Sequence, residues 1–561
     1  MPKFNSFLKQ KRRYQAIEPD EILIDAANLP DFDTSRLEGR IERPIGSYTF
    51  RSFLAVLCIF GLILVSQLVN LEILKYPALA KRAEANTLSQ TSLPAPRGEI
   101  TDRFGAPLAE NIVAENPAST TRLYPLGSAA ANLTGYVSYP KQDKNGYWYQ
   151  PNTKGVAGIE ASENEKLAGV DGLRIAETDA AGRAVSGSII QDTQQGQNIR
   201  LSIDAALQKE LYNEIANRSE TSGWIGGAGA VMDVNTGELL ALVSYPSYDP
   251  GVMSSGEPKQ DVERLLTDPR SPFLDRAVSG LYTPGSVVKP FMAAAALESR
   301  IIDPNKQILS TGSISVPNPF DPAHPSVFKD WRANGWVDVR HAIAVSSDVY
   351  FYEVGGGFEG QPGLGISAIE KYMRSFGFGA VTGIPAPGEQ PGTIPDPEWK
   401  AANFNGEQWF LGDTYHTAIG QYGFKVDLLQ LVRGVGSLAN GGTLVTPVIE
   451  ARKTGTRTSV PISSGNLEIV REGMRLCVTQ GICQALAVPG VHAAAKTGTA
   501  QVGVKNEFTN SLVEGFFPYE NPRYAFAIVM EHAPSGTLQG APSVMGTFLQ
   551  WLVANKPEMV Q

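Results

Sequence analysis

From Ser52 to Leu74 the chain reads SFLAVLCIFGLILVSQLVNLEIL, with no charged residue before Glu72. As a helix rising ~1.5 Å per residue, this run reaches about 35 Å, enough to cross ~30 Å of hydrocarbon. A buried core helix or a cleaved signal sequence would carry a similar run. The Ala-Leu-Ala at 78–80 resembles a cleavage site, but 51 residues precede the run, too many for a signal-peptide leader. An uncleaved membrane anchor is therefore expected over 52–74, with a mixed-charge, solvated tail over 1–51. Arg36, Arg40, Arg43 and Arg51 before the run slightly outnumber Lys75, Lys81 and Arg82 after it. That excess places the N-terminus in the cytoplasm and the rest of the chain outside it.

Composition narrows the partners. A net charge of −9 argues against nucleic acid. With 42% apolar and 19% charged residues the 561-residue chain is ordinary for a folded protein, with room for about three or four domains. Its 56 Gly and 38 Pro are dispersed, which suggests many turns. Neither C-x2-C nor H-E-x-x-H occurs. Asp321, His324, Asp330, Asp338 and His341 gather in sequence without a metal-site pattern, so no metal and no cofactor is expected. Cys477 and Cys483 form a lone C-x5-C pair, either a small disulfide or two buried thiols.

Beyond the anchor the chain reads in two pieces. Residues 75–218 are mixed, with a strand–turn–strand in PRGEITDRFGAPLAEN (96–111), a short helix in GIEASENEKLAG, and an amphipathic helix before residue 218. No set of catalytic residue types stands out there, and a spacer or docking module is expected. Residues 219–561 open on a hairpin around Asn235-Thr236-Gly237. Helical stretches follow, then strands in HAAAKTGTAQVG, NSLVEGFFPY and RYAFAIVMEHA, and a last helix. Strands, then helices, then strands indicate an α+β fold, an antiparallel sheet flanked by helices.

Within this piece GLYTPGSVVKP puts Ser286 and Lys289 on one face of a helix start, close enough to touch. The spacing alone is weak, because Ser-x-x-Lys recurs at Ser6, Ser138 and Ser326. Two further motifs follow in order: Ser346-Ser347-Asp348 between helical segments, and Lys496-Thr497-Gly498-Thr499 on the first of the late strands. Decoys exist for both, at Ser202, Ser247, Ser464 and Lys453, the last in a polar turn.

The ordered set is that of penicillin-binding proteins and class A β-lactamases. With its flanks PRGEITDR, GVAGIEASENEKLAGVDGLR, GAGAVMDVNTGELLALVSYPSYDP and AIGQYGFKVDLLQLVRGVGSLANGG, the chain resembles the class B penicillin-binding proteins, the monofunctional transpeptidases of bacterial cell walls. The resemblance covers nearly everything after residue 50. It departs at Asp348, where the family usually has Asn; elongation-type members tolerate Asp there, which favours elongation over division. GQYGFKVDLLQ also departs from the family's usual Gly-Gln-Gly.

The resemblance implies a peptidoglycan D,D-transpeptidase working through an acyl-serine. Ser286 is then the nucleophile, and Lys289, neutral at rest through burial and the charge of Lys496, its base. Ser346 passes a proton to the leaving amine, and Asp348 holds the substrate amide. Lys496, Thr497 and Thr499 bind the terminal carboxylate of a D-alanyl-D-alanine stem, and Gly498 leaves the strand edge bare. Backbone N–H groups of Ser286 and Thr499 form the oxyanion hole. Implied partners are stem peptides on lipid-linked glycan, β-lactams, and a SEDS-family membrane glycosyltransferase, since the chain shows no glycosyltransferase domain of its own. The rival readings are a carboxypeptidase or β-lactamase-like hydrolase, and a penicillin-binding sensor or scaffold without turnover.

Overall fold

The computed structural model describes residues 47–77, 88–113, 120–144, 148–150, 152–178, 184–318, 321–503 and 505–561. The tail over 1–46, and with it Ser6, Arg36, Arg40, Arg43, Lys81 and Arg82, lies outside them. The chain divides into a unit ending at Leu88 and a second from Ser89.

In the first unit, helix α1 (Ser47–Val69) continues through a π-turn over Asn70–Leu74. Within the apolar span Tyr48–Leu74 an 18-residue stretch has a mean hydropathy of 2.5, and none of that stretch is buried. Such a helix is long and apolar enough to cross a bilayer. It begins earlier than the expected Ser52, because Tyr48 and Phe50 extend the run past Arg51.

In the second unit, the early residues form small sheets. Ile100–Thr101 and Pro107–Val113 pair antiparallel, as the strand–turn–strand reading expected. Asp102 closes that turn by accepting from the N–H groups of Phe104 and Ala106, both at 2.8 Å. Beneath lies a buried charge cluster. Glu160, fully buried, accepts from Arg97 Nε at 2.5 Å and Arg122 Nε at 2.7 Å. The guanidiniums also reach the carbonyls of Glu160 and Gly98 and the amide oxygens of Asn164 and Asn111. Glu160→Gln strips the charge from between two buried cations. It is expected to destabilise this region by about 3–5 kcal/mol, read as a shift in denaturant unfolding. A loss below about 1 kcal/mol, the value of an exposed pair, would contradict that.

Helix α2 (Ala205–Ser222) starts on Asp204, whose carboxylate caps Ala206 and Leu207, and ends at the left-handed Gly223. The expected boundary between residues 218 and 219 falls inside this helix. Its apolar stripe of Leu207, Leu211 and Ile215 packs on the large sheet, with Val231, Leu240 and Ile528. A helix with an apolar face goes where that face is covered.

That sheet is the frame of the site. Strands β1 (Gly226–Asp233), β2 (Leu239–Tyr245), β3 (Ala494–Val502), β4 (Phe508–Phe517) and β5 (Tyr524–Pro534) stand in the order β2-β1-β5-β4-β3, every pair antiparallel. The β1–β2 turn is the expected one: Asp233 accepts from Asn235 and Thr236, and Gly237 takes φ +81°. One face is covered by α2 and α8 (Ala541–Asn555), through Leu211, Phe526, Phe548 and Leu552. The other packs against α3 (Lys289–Glu298) and α6 (Leu428–Ala439), through Phe291, Val435, Leu512 and Phe516. On this side too lie α4 (Val339–Val345), α5 (Asp348–Gly356) and α7 (Ser464–Thr479).

Candidate active site

Ser286 sits on a 3-10 turn, Gly285–Val288, that runs directly into α3. The turn is pressed against β3, and the glycines on both sides make this possible. A Cβ at Gly498 would lie 2.6 Å from the Pro284 carbonyl oxygen, and one at Gly285 (φ +54°) 2.8 Å from that of Thr499. Behind the turn, Gly420 (φ +77°) leaves no room for a Cβ against the Gly285 carbonyl, and its own carbonyl accepts from Gly285 N–H at 2.9 Å. The missing side chain of Gly498 thus serves first to seat the serine turn beside Thr499. Its edge position on the sheet, the trait expected from sequence, follows from the strand order, in which β3 is last.

Ser346 ends α4 in a left-handed conformation, φ +60° and ψ 42°. The bend aims its hydroxyl between two lysines. Lys289 Nζ donates to Ser346 Oγ at 3.2 Å and to its carbonyl at 2.8 Å; Lys496 Nζ donates to the same Oγ at 2.9 Å. A hydroxyl has two acceptor positions and one proton. With both lone pairs engaged, the O–H of Ser346 is free to donate to a third group. Lys289, Lys496 and Ser346 are all buried, whereas Ser286 is half-buried and no group among the described residues hydrogen-bonds its hydroxyl.

Lys289 Nζ lies 2.6 Å from Asp348 Oδ1 and over the Phe351 ring. Lys496 is pushed well below its usual pKa, by burial first and the Lys289 charge second, with Asp348 and Glu514 opposing. An Asn at 348 would leave Lys289 without this carboxylate. Asp348 therefore acts on Lys289.

Two supports were not legible beforehand. Asp330 Oδ2 accepts from Ser347 Oγ at 2.8 Å and Val349 N–H at 3.1 Å, which fixes the second motif from below. In sequence it stood only among the loose Asp/His group, whose His324 and His341 pair with Asp321 and Asp338. The second support is the loop after α7. Cys477 and Cys483 are bridged there, so the pair is a disulfide. Ile482 N–H donates to the Ala344 carbonyl at 3.1 Å, and Cys483 Sγ touches the Ala495 carbonyl at 3.4 Å. The loop thus rests on the residues just before Ser346 and Lys496. The decoys have plain roles: Ser202 Oγ donates to the Leu239 carbonyl, Lys453 pairs with Glu450, and Ser326 opens a short strand.

Two family matches fall on this architecture: the penicillin binding protein transpeptidase domain over residues 227–550, and the penicillin-binding protein dimerisation domain over 114–201. The chain belongs to the class B penicillin-binding proteins. Among curated members of the family, peptidoglycan D,D-transpeptidase MrdA of Acinetobacter baumannii is 30% identical over 79% of this chain and 67% of its own. MrdA of Escherichia coli K12 is 30% identical over 75% and 69%. Among solved members, Pseudomonas aeruginosa PBP2 in complex with WCK 5153 is 28% identical with a TM-score of 0.69, covering 84% of this chain and 98% of its own. Helicobacter pylori PBP2, solved in complex with MreC, is 27% identical with the same TM-score, covering 84% and 99%. In this penicillin-binding protein both matched domains lie after the apolar helix, and the 227–550 match contains all three motifs.

Proposed function

We propose that the chain is a peptidoglycan D,D-transpeptidase of the elongation type, with Ser286, Lys289, Ser346 and Lys496 as its catalytic residues and Asp348, Thr497, Gly498 and Thr499 as its substrate-binding ones. One observation carries this reading: within a matched transpeptidase domain, two buried lysines converge on one serine hydroxyl beside a second serine whose hydroxyl is uncommitted.

The Ser286 oxygen attacks the carbonyl of the penultimate D-alanine, and its proton passes to the lysine–serine cluster through Lys289. Backbone N–H groups of Ser286 and Thr499, on segments in close contact, stabilise the oxyanion. The C–N bond then breaks, D-alanine departs with a proton delivered by Ser346, and the acyl group stays on Ser286. Lys496, Thr497 and Thr499 hold the donor's terminal carboxylate, and Asp348 orients its amide. An amine from a second stem attacks the ester and restores the serine. A β-lactam follows the first half and stalls.

The one apolar helix of spanning length among the described residues supports a one-pass anchor, with the tail (1–51) in the cytoplasm and both folded parts outside. The regions 75–218 and 219–561 serve as pedestal and transpeptidase. The Helicobacter pylori relative's complex with MreC supports a protein partner, and a SEDS-family glycosyltransferase would supply the glycan.

A pentapeptide donor incubated with the full chain and an added amine acceptor tests the reaction. D-Alanine release matched by acceptor-linked product is expected. Release matched only by hydrolysed tetrapeptide would make the chain a carboxypeptidase, and penicillin binding with no release at all would leave it a sensor.

A further inference from the structure

One ionisable group beside the site has no role in the reaction as written. Glu514, on β4, is the register partner of Lys496 on β3. On its other side it faces Ala527 of β5. It is fully buried, and no protein group hydrogen-bonds either carboxyl oxygen. On its own strand face it lies between Leu512 and Phe516, both fully buried, where an aliphatic side chain would fit the pattern. A carboxyl left without donors in such a place costs several kcal/mol to ionise unless a cation is near.

The one nearby cation is Lys496. Burial pushes Glu514 well above the usual carboxylate range, and Lys496 is the charge that opposes this. Burial pushes Lys496 down, and Glu514 is among the charges that oppose that. The other charges acting on Lys496 are Lys289 and Asp348. Remaining charged groups on the packed elements are committed elsewhere. On α6, Arg433 answers to Glu389 and Asp427 caps the helix through Gln430. Glu298 of α3 accepts from Ser463 and Asn466. On α7, Glu468 pairs with Arg471, Glu472 with Arg340, and Arg475 donates to the Ala493 carbonyl.

We propose that Glu514 is a positioning residue for Lys496: across the β3–β4 ladder its carboxyl holds the counter-charge that lets Lys496 be cationic when a carboxylate-bearing donor arrives. The inference rests on the acyl-serine reading above. Two such groups titrate as a pair, in two macroscopic steps. Between the steps one proton is shared, on the carboxyl or on the amine. An incoming donor carboxylate favours the amine, so Lys496 becomes charged without a proton from solvent. With Gln at 514, Lys496 loses its proton at the first step, and of the anions that sustain its charge only Asp348 remains.

The test is the pH dependence of acylation of the full chain by benzylpenicillin. In Glu514→Gln the alkaline limb should move at least one pH unit lower, through weaker binding rather than a slower acylation step, while labelling near neutrality persists. Benzylpenicillin methyl ester, which lacks the carboxylate, should give the same profile with both proteins. A folded Glu514→Gln protein with an unmoved limb, or with an equal shift for the ester, would overturn the proposal. If the variant does not fold, the wild type decides. Its infrared difference spectrum on penicillin binding should lose a protonated-carboxyl band, and an unchanged band would overturn the proposal equally. Failure of the underlying reading looks different, because the wild type would then not be labelled at all.

Discussion

Lys289→Met lowers the rate of acylation by benzylpenicillin by about a thousandfold, within the 10²–10⁴ range of general-base catalysis. The lysine is fully buried one helical turn from Ser286, and its Nζ bridges Ser346 and Asp348. Methionine keeps most of the volume and removes the base, the charge and the donors together. Lys289→Arg separates these, since guanidinium keeps the charge and the donors but does not give up a proton near neutrality. If Lys289 takes the serine proton, both variants are slow. An arginine variant restored to within tenfold of wild type would show that only the positive charge is needed. The measurement is the second-order rate constant with a fluorescent penicillin, taken on variants whose melting temperatures match the wild type.

The long apolar helix, the hairpin at Asn235–Gly237 and the three motifs were legible because each is a local pattern: an apolar run, a turn pair, a spacing. Flanking context also separated Ser286 from Ser138 and Ser326, as a break before a helix carries more than the tetrad alone. What local pattern could not carry is pairing across long stretches of chain. The sheet joins β1 to β5, about 300 residues apart, and nothing in either strand names the other. What α2 packs on was not legible for the same reason. Its stripe shows that it packs, not on what.

The partners of the two lysines were not legible on similar grounds. Sequence places Lys289 and Lys496 together but does not say which one faces Asp348. Only the left-handed bend at Ser346 and the start of α5 bring that carboxylate to Lys289. Asp330 stood only among the Asp and His residues gathered between Asp321 and His341, and Glu514 stood as one charge in a strand otherwise apolar from Leu512 to Phe517. That lone charge was a visible signal. A carboxylate inside a buried strand needs a reason.

The account stands on Ser286 as the nucleophile, and the intact mass of the full chain with benzylpenicillin tests that most directly. An ester at the Ser286 hydroxyl adds one penicilloyl group that survives denaturation, and Ser286 is half-buried on the turn that leads into the helix of Lys289. Wild type should gain one penicilloyl mass that persists for hours. Ser286→Ala should gain none, because a methyl group cannot attack, while Ser138→Ala and Ser326→Ala should gain it like wild type. An adduct that survives in Ser286→Ala would remove the serine turn from the chemistry, and the reading of the site would fall with it.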